Sequence, residues 1–127
     1  MKEIKLSNVL LKEAGKPNLN GNIYSKEALE SIHKQIQENK GKIFGELGQT
    51  DVSGTEVNLS KAVSVVEDSN YEDGKLFVDV KVMKENLPMD LLQPALRTVS
   101  TVTDNEVQDD VTLISVDLIK KPIVEDD

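Results

Sequence analysis

Residues 75–82 read KLFVDVKV, and this stretch decides the fold class. Apolar side chains stand at every second position, at Leu76, Val78, Val80 and Val82. A period of two places one face of a β-strand on a core and the other face outside. The turn formers of 68–74 precede it, and Val57–Val66 before them is a second β-rich run. The sequence therefore predicts an antiparallel hairpin with its tip at 68–74. The alternation of the first strand slips once, which predicts a bulge near 60–62.

Upstream of the hairpin, the pattern predicts a helix over 26–39. Ser25 is suited to the N-cap and Glu27 to the first turn, while Asn39 and Gly41 suit the carboxyl end. The apolar residues recur at helical spacing, at Ala28, Leu29, Ile32 and Ile36. A single apolar stripe indicates that this helix packs on a sheet by one face.

The rest of the chain is read mainly as strands. The pattern predicts a strand over 3–12, a turn-rich loop over 15–22, a short strand at Ile43 and Phe44, and a polar loop over 48–54. Leu87–Leu92 predicts a short helix around Pro88 that ends before Pro94. A second hairpin is predicted from strands at 96–103 and 111–119 with an acidic tip at 104–110.

The fold class that follows is α+β, a mainly antiparallel sheet or partly closed barrel with one packed helix and one short helix. The length of 127 residues predicts a single domain over 1–127, with a folded core at about 3–122 and an acidic tail at 123–127. No targeting segment or membrane span is expected, because the first residues are charged and no apolar run approaches about 18 residues.

Composition excludes several functions. A net charge of -8, a single arginine (Arg97) and 3% aromatic residues argue against a nucleic-acid-binding surface. The absence of cysteine excludes disulfides, cysteine-ligated zinc and a thiol nucleophile. The acidic run at 104–110 lacks the ligand spacing of a calcium loop, so it is interpreted as a solvated tip. No metal and no cofactor is expected.

Two short runs carry a resemblance to a known family. Asn20–Tyr24 leads into the predicted helix, and Gly45–Leu47 follows the short strand. In this order they resemble the phage prohead (capsid maturation) proteases, in which an asparagine-glycine-x-isoleucine-tyrosine turn precedes a helix. In that family a glycine-glutamate-leucine run leads into aspartate-histidine-proline, whose histidine is the general base. Here Gly48, Gln49 and Thr50 stand at those three places.

The resemblance continues to about residue 122. The family carries its serine nucleophile in a run such as valine-serine-serine-arginine-glycine, and Val99–Thr103 is the run matched to it here, with Ser100 as the serine. The closing strand at Val116–Ile119, followed by Pro122, also resembles the family and includes Asp117. The resemblance therefore implies a prohead-protease-like fold whose degenerate catalytic positions are Gln49, Ser100 and Asp117.

The base that such a serine needs is missing. A glutamine amide has no useful basicity, and the single imidazole of the chain, His33, lies on the predicted helix as a surface or boundary residue. A lysine could replace it, but no spacing singles out Lys61 or Lys81. Ser100 is then interpreted as an ordinary strand residue, and Asp117 as a strand or edge charge.

Three functions stay open. The favoured hypothesis is a non-enzymatic phage capsid-associated protein, that is, an auxiliary, decoration or minor capsid protein. The resemblance implies that its partner is the major capsid protein or another virion protein, and that it lies in the virion or, during assembly, in the host cytoplasm. The second is an active prohead serine endopeptidase with a rearranged dyad. The third is an assembly or scaffold pseudoenzyme that is absent from mature particles.

Overall fold

The computed structural model describes residues 4–17, 21–47, 61–84, 87–108 and 110–120. The elements of these residues that are described in full follow in chain order: β1 (Ile4–Glu13), β2 (Ile23–Tyr24), α1 (Lys26–Glu38), β3 (Ile43–Glu46), β4 (Ala62–Glu72), β5 (Lys75–Val82), a 3₁₀ turn (Met89–Leu91), β6 (Leu92–Val99), β7 (Val102–Thr103), β8 (Glu106–Val107) and β9 (Thr112–Lys120).

The main sheet has the strand order β1-β5-β4-β3, and all its pairs are antiparallel. Strands β6 and β9 form a second antiparallel pair, and β2, β8 and β7 form a small mixed sheet. A parallel bridge between Leu47 and Leu118 joins the end of β3 to β9. The predicted α+β class with a mainly antiparallel sheet is confirmed, and the described strands do not form a closed barrel.

Helix α1 confirms its prediction closely. The Ser25 hydroxyl accepts a hydrogen bond from the backbone N–H of Ala28 at 3.1 Å, as an N-cap residue does. The four apolar positions of its stripe are 0% exposed and pack on the sheet. Burying a side chain of the size of leucine or isoleucine stabilises the fold by roughly 1.5–3 kcal/mol, so this face fixes the helix on the sheet.

The first strand of the first hairpin extends further towards the turn than the sequence predicts. Strand β4 continues to Glu72, and the turn consists only of Asp73 and Gly74, whose φ angles are 48° and 79°. Two residues with positive φ match the twist of the flanking strands. The prediction of a tip at 68–74 was therefore wrong at its start. The β3–β4 pairing shifts register between two successive pairs, Gly45 with Ser64 and Glu46 with Ala62. Residues 57–60 lie outside the described residues.

The second pair also begins earlier than predicted. Strand β6 starts at Leu92 and includes Pro94, so the short helix is only the turn Met89–Leu91. Proline fits here because, among the described strands, β6 pairs only with β9 and leaves its other edge open. The predicted acidic tip is itself a small hairpin, β7–β8, turned by Asp104 and Asn105 at positive φ.

The loop predicted at 48–54 and the tail at 123–127 lie outside the described residues. In the part of the chain that is described, no helix is long and apolar enough to cross a membrane.

Candidate functional site

Asp117 lies at the centre of a polar cluster where β3, β6 and β9 meet. It is 8% exposed, and its Oδ1 accepts hydrogen bonds from the Ser115 hydroxyl at 2.9 Å and from the backbone N–H of Glu46 at 3.0 Å. Of the two readings of Asp117, a strand charge or an edge charge, the structure fits the first, because its strand β9 is flanked by β3 on one side and β6 on the other. A carboxylate buried this deeply needs such partners to offset its lost hydration.

Arg97 supplies the positive charge of the cluster. Its Nη2 lies 3.0 Å from Glu46 Oε2 and 3.2 Å from Asp117 Oδ1, and its Nε lies 3.2 Å from Asp117 Oδ2. The same Nε donates to the Ser115 hydroxyl at 2.8 Å, so the Ser115 proton is free to point at Asp117. We name Glu46, Arg97, Ser115 and Asp117 the buried ionic cluster.

The backbone next to this cluster explains why a glycine precedes Glu46. A Cβ added at Gly45 would lie 1.9 Å from the Val116 carbonyl oxygen and 2.7 Å from Ser64 Oγ. Only glycine lets β3 approach β9 this closely. The Gly45–Leu47 run on which the resemblance rests therefore has three physical roles: close approach at Gly45, an ion pair at Glu46 and the strand bridge at Leu47.

The tyrosine of the first motif also reaches β6. Tyr24 is 5% exposed, and its hydroxyl lies 2.9 Å from Thr98 Oγ1. Burial raises the pKa of Tyr24, and the hydrogen bond to Thr98 partly opposes that rise. The neighbouring Ile23 pairs with Glu106 of β8. The contact between Tyr24 and Thr98 ties the segment before α1 to β6, the strand that leads towards Ser100.

Ser100 is not in the buried ionic cluster. It follows the last residue of β6, Val99, which pairs with Thr112. Asp117 lies five residues further along β9, which corresponds to roughly 16 Å at the rise of a strand. The structure therefore does not bring Ser100 and Asp117 together. Ser100 is half-buried and lies one residue beyond β6, and not within a strand as the sequence predicts.

The third degenerate position, Gln49, lies outside the described residues. Because the resemblance matches Gln49 and Ser100 to the histidine and serine of one catalytic site, it predicts that the two lie near one another, and that stays a prediction. Strand β3 runs parallel to β9 and leaves the sheet at Leu47, beside Leu118. Leu118 pairs with Pro94, at the opposite end of β6 from Ser100. The end of β3 and Ser100 therefore lie towards opposite ends of β6.

His33 is engaged away from Ser100. Its Nδ1 lies 2.7 Å from the Ser69 hydroxyl of β4, which also accepts from Gln37 Nε2 at 3.0 Å. The Gln35 side chain lies on the other side of α1 and hydrogen-bonds the backbone of Val111 and Leu113, at the end of β9 nearer Ser100. Residues two positions apart on a helix project to opposite sides. The half-buried His33 is thus a boundary residue, as the sequence indicates.

The lysines considered for a dyad are not placed beside Ser100 by the strand pairing. Lys61 is exposed, and Lys81 lies on β5 between Lys5 and Val65. Another lysine, Lys12, has a pKa lowered by burial, and its Nζ lies 5.9 Å from the centre of the Tyr24 ring. That contact is a cation–π interaction and not a base poised against a hydroxyl.

Sequence reasoning missed the role of Arg97. It counted this residue only as the lone arginine of an acidic chain. The available signal was a pair of charged residues, Arg97 and Asp117, each inside an otherwise apolar β-rich run. Charges at interior strand positions are rarely buried without a partner, so each predicts the other.

The structure is similar to the bacteriophage T4 capsid assembly protease, gp21, with a TM-score of 0.76. The identity is 19%, and the match covers 94% of this chain and 82% of that chain. No family model and no curated protein matches the sequence. At this identity the likeness establishes a shared fold, so the predicted prohead-protease-like fold is confirmed at the level of fold.

Proposed function

We propose that the chain is a non-enzymatic phage capsid-associated protein, an auxiliary, decoration or minor capsid protein built on an inactivated prohead-protease fold. The observation that carries the proposal is the environment of Asp117. The resemblance matches Asp117 to an acid that would orient the imidazole of a triad, whereas its partners among the described residues are Arg97, Ser115 and the Glu46 backbone, none of them an imidazole.

The chemistry of those partners supports inactivity. A guanidinium stays protonated at all working pH values, so Arg97 cannot accept the proton of a nucleophile. The imidazole of His33 already accepts or donates a hydrogen bond at Ser69, on the far side of α1 from the end of β6. Serine attack without a base is slow, because the hydroxyl must lose its proton as the bond forms.

A fold without its catalytic base retains its surface, so we look to binding for the function. The partner we propose is the major capsid protein or another virion protein, and the location is the virion, or the host cytoplasm during assembly. Large apolar side chains are exposed at six described positions, which are Leu10, Leu47, Met83, Leu91, Val99 and Val102. Exposed apolar side chains mark a protein interface where they form one contiguous patch. We propose no direct role for nucleic acid, because the net charge is -8.

Two alternatives differ in what they require. An active serine endopeptidase with a rearranged dyad requires a base beside Ser100. An assembly or scaffold pseudoenzyme requires the same inert site and the same binding surface, but it leaves the particle before maturation. Peptidase activity would distinguish the active endopeptidase from the proposed function. Presence in mature particles distinguishes the proposed function from the scaffold pseudoenzyme.

The test is the amount of the chain in particles at successive stages of assembly. Immature and mature particles of the phage that encodes it are separated on a density gradient, and the chain is quantified against the major capsid protein by mass spectrometry. We expect a constant ratio in both, with the chain intact. A ratio that falls to background in mature particles would support the scaffold alternative and contradict residence in the virion.

A further inference from the structure

We infer that Ala95, and not Ser100, occupies the place in this fold where a nucleophile would stand. This assignment rests on the proposed function and deepens it, because it names the side chain that makes the site inert. Three features of the described strands support it: the face on which Ala95 lies, the end at which β3 leaves the sheet, and the position of Arg97.

The first feature is the pairing of β6 with β9. Ala95 lies directly opposite Asp117, and Arg97 lies directly opposite Ser115. Directly opposed residues of an antiparallel pair project to the same face, and so do residues two apart on one strand. Ala95 therefore shares a face with the buried ionic cluster. A hydroxyl at position 95 would stand next to the Asp117 carboxylate.

The second feature is the path of β3. Leu47 bridges Leu118 on one side of β9, and Pro94 pairs with Leu118 on the other side. The chain thus leaves β3 two strand spacings, about 10 Å, from Pro94 and its neighbour Ala95. Ser100 lies six residues beyond Pro94, which is roughly 20 Å along an extended strand.

The third feature is the register of the arginine. The serine run that the sequence resembles places an arginine directly after two serines and a glycine after the arginine. When Arg97 is that arginine, the serines fall on Ala95 and Leu96, and the glycine falls on Thr98. Leu96 packs on the main core, on the other face of β6 from Ala95. Position 95 is then the one that faces the cluster.

This register differs from the one that matches Ser100, in which no arginine follows the serine. The register that matches Ala95 retains the arginine of the family run as Arg97, and Arg97 contacts Asp117. The consequence is chemical: a methyl group has no lone pair with which to attack a carbonyl carbon. Ser100 retains a hydroxyl, but it lies outside the cluster that could act on it.

The test uses the absence of native cysteine, which makes engineered cysteines the only thiols. Gln49→Cys is combined with Ala95→Cys in one variant and with Ser100→Cys in another, and each is treated with a short bis-maleimide. Intramolecular crosslinking is followed by mass spectrometry after proteolysis. The matched controls are the three single-cysteine variants, which report the accessibility of each thiol by its rate of monoalkylation.

After correction for accessibility, we expect the 49/95 pair to crosslink at least about tenfold faster than the 49/100 pair. Equal rates, or a faster 49/100 pair, would overturn the assignment, and so would failure of both pairs. Labelling by a serine-directed fluorophosphonate gives a separate result. Labelling of the native protein would contradict the proposed function, whereas the crosslinking rates test only which residue faces position 49.

Discussion

The Glu46 carboxylate and the Arg97 guanidinium meet at 3.0 Å across 51 positions of sequence. Their side chains are 19% and 10% exposed, so the pair is largely removed from water. Arg97 also contacts Asp117, and one guanidinium therefore links three strands, β3, β6 and β9. Strand β3 has only four residues, so this link adds to its pairing with β4 in holding it in place.

Replacing the guanidinium should destabilise the fold strongly. Arg97→Met leaves Glu46 and Asp117 without their cation, and breaking a buried ion pair from one side typically costs about 3–5 kcal/mol. The measurement is the free energy of unfolding from urea denaturation. The control is Lys40→Met, which removes a half-exposed pair with Asp68 and should cost no more than about 1 kcal/mol.

The same cluster should tolerate the loss of all its charges better than the loss of one. The triple variant Arg97→Met, Glu46→Gln, Asp117→Asn removes the cation and both carboxylates together. We expect a smaller loss of unfolding free energy than in Arg97→Met alone, because no buried charge is left unpaired. A triple variant that is less stable than the single variant would show that Arg97 acts through packing and not through charge.

Gly45→Ala should displace β3 from β9. Its Cβ would lie 1.9 Å from a backbone oxygen that cannot rotate away, so we expect a cost of more than about 3 kcal/mol. In Gly41→Ala the new Cβ meets no atom within 4 Å, and the positive φ alone costs about 1–2 kcal/mol. Thermal denaturation of both variants ranks them. The opposite order would contradict the close approach of the two strands.

Two buried serines should respond in opposite ways to truncation. Ser64 Oγ has no hydrogen-bond partner among the described residues, whereas Ser115 bonds both Arg97 and Asp117. We expect Ser64→Ala to be neutral or to stabilise by up to about 1 kcal/mol, and Ser115→Ala to cost about 1–3 kcal/mol. Chemical denaturation at neutral pH measures both. A larger loss in Ser64→Ala would indicate an ordered partner at Ser64.

The contact between α1 and β4 should weaken in acid. Hydrogen bonds from the Gln37 amide and the Ser69 backbone, with Lys40 adding its charge, hold the pKa of Asp68 below its usual value of 3.8. A lowered pKa means that the contribution is present above that usual value and is lost as the pH falls through the folded pKa. The stability advantage over Asp68→Asn should therefore be larger at pH 7 than at pH 3. An equal difference in unfolding free energy between the native protein and Asp68→Asn at both pH values would contradict this prediction.

Local patterns in the sequence were sufficient for α1. Ser25, the four-residue apolar stripe and the bounds of the helix depend on neighbours within a few positions, so they could be predicted. The end of β4 could not, because Asp68 and Ser69 have the polarity of a turn. In the fold Gln37 and His33 bond them, which allows the strand to continue to Glu72.

The buried ionic cluster was predictable only as far as the pairing of Arg97 with Asp117, two charges inside otherwise apolar runs. Its partners are separated by 20 and 51 positions, and no local period marks them. The resemblance placed Asp117 on the closing strand, as the structure does, but it placed Glu46 just after the short strand that in the fold includes it. It did not reveal that the end of β3 and the residue Ser100 lie towards opposite ends of β6, because that depends on the parallel bridge between Leu47 and Leu118.

The absence of peptidase activity is the central claim, and a fluorophosphonate probe tests it most directly. Native protein and the variant Gln49→His are incubated with the probe, and the modified residues are identified by mass spectrometry. We predict no specific labelling of Ser100 in either. Loss of an oriented base costs about 10⁴ in rate, and loss of oxyanion donors costs a further ~10²–10³. Labelling of Ser100 in the native protein, abolished by Ser100→Ala, would contradict the account and favour the active protease.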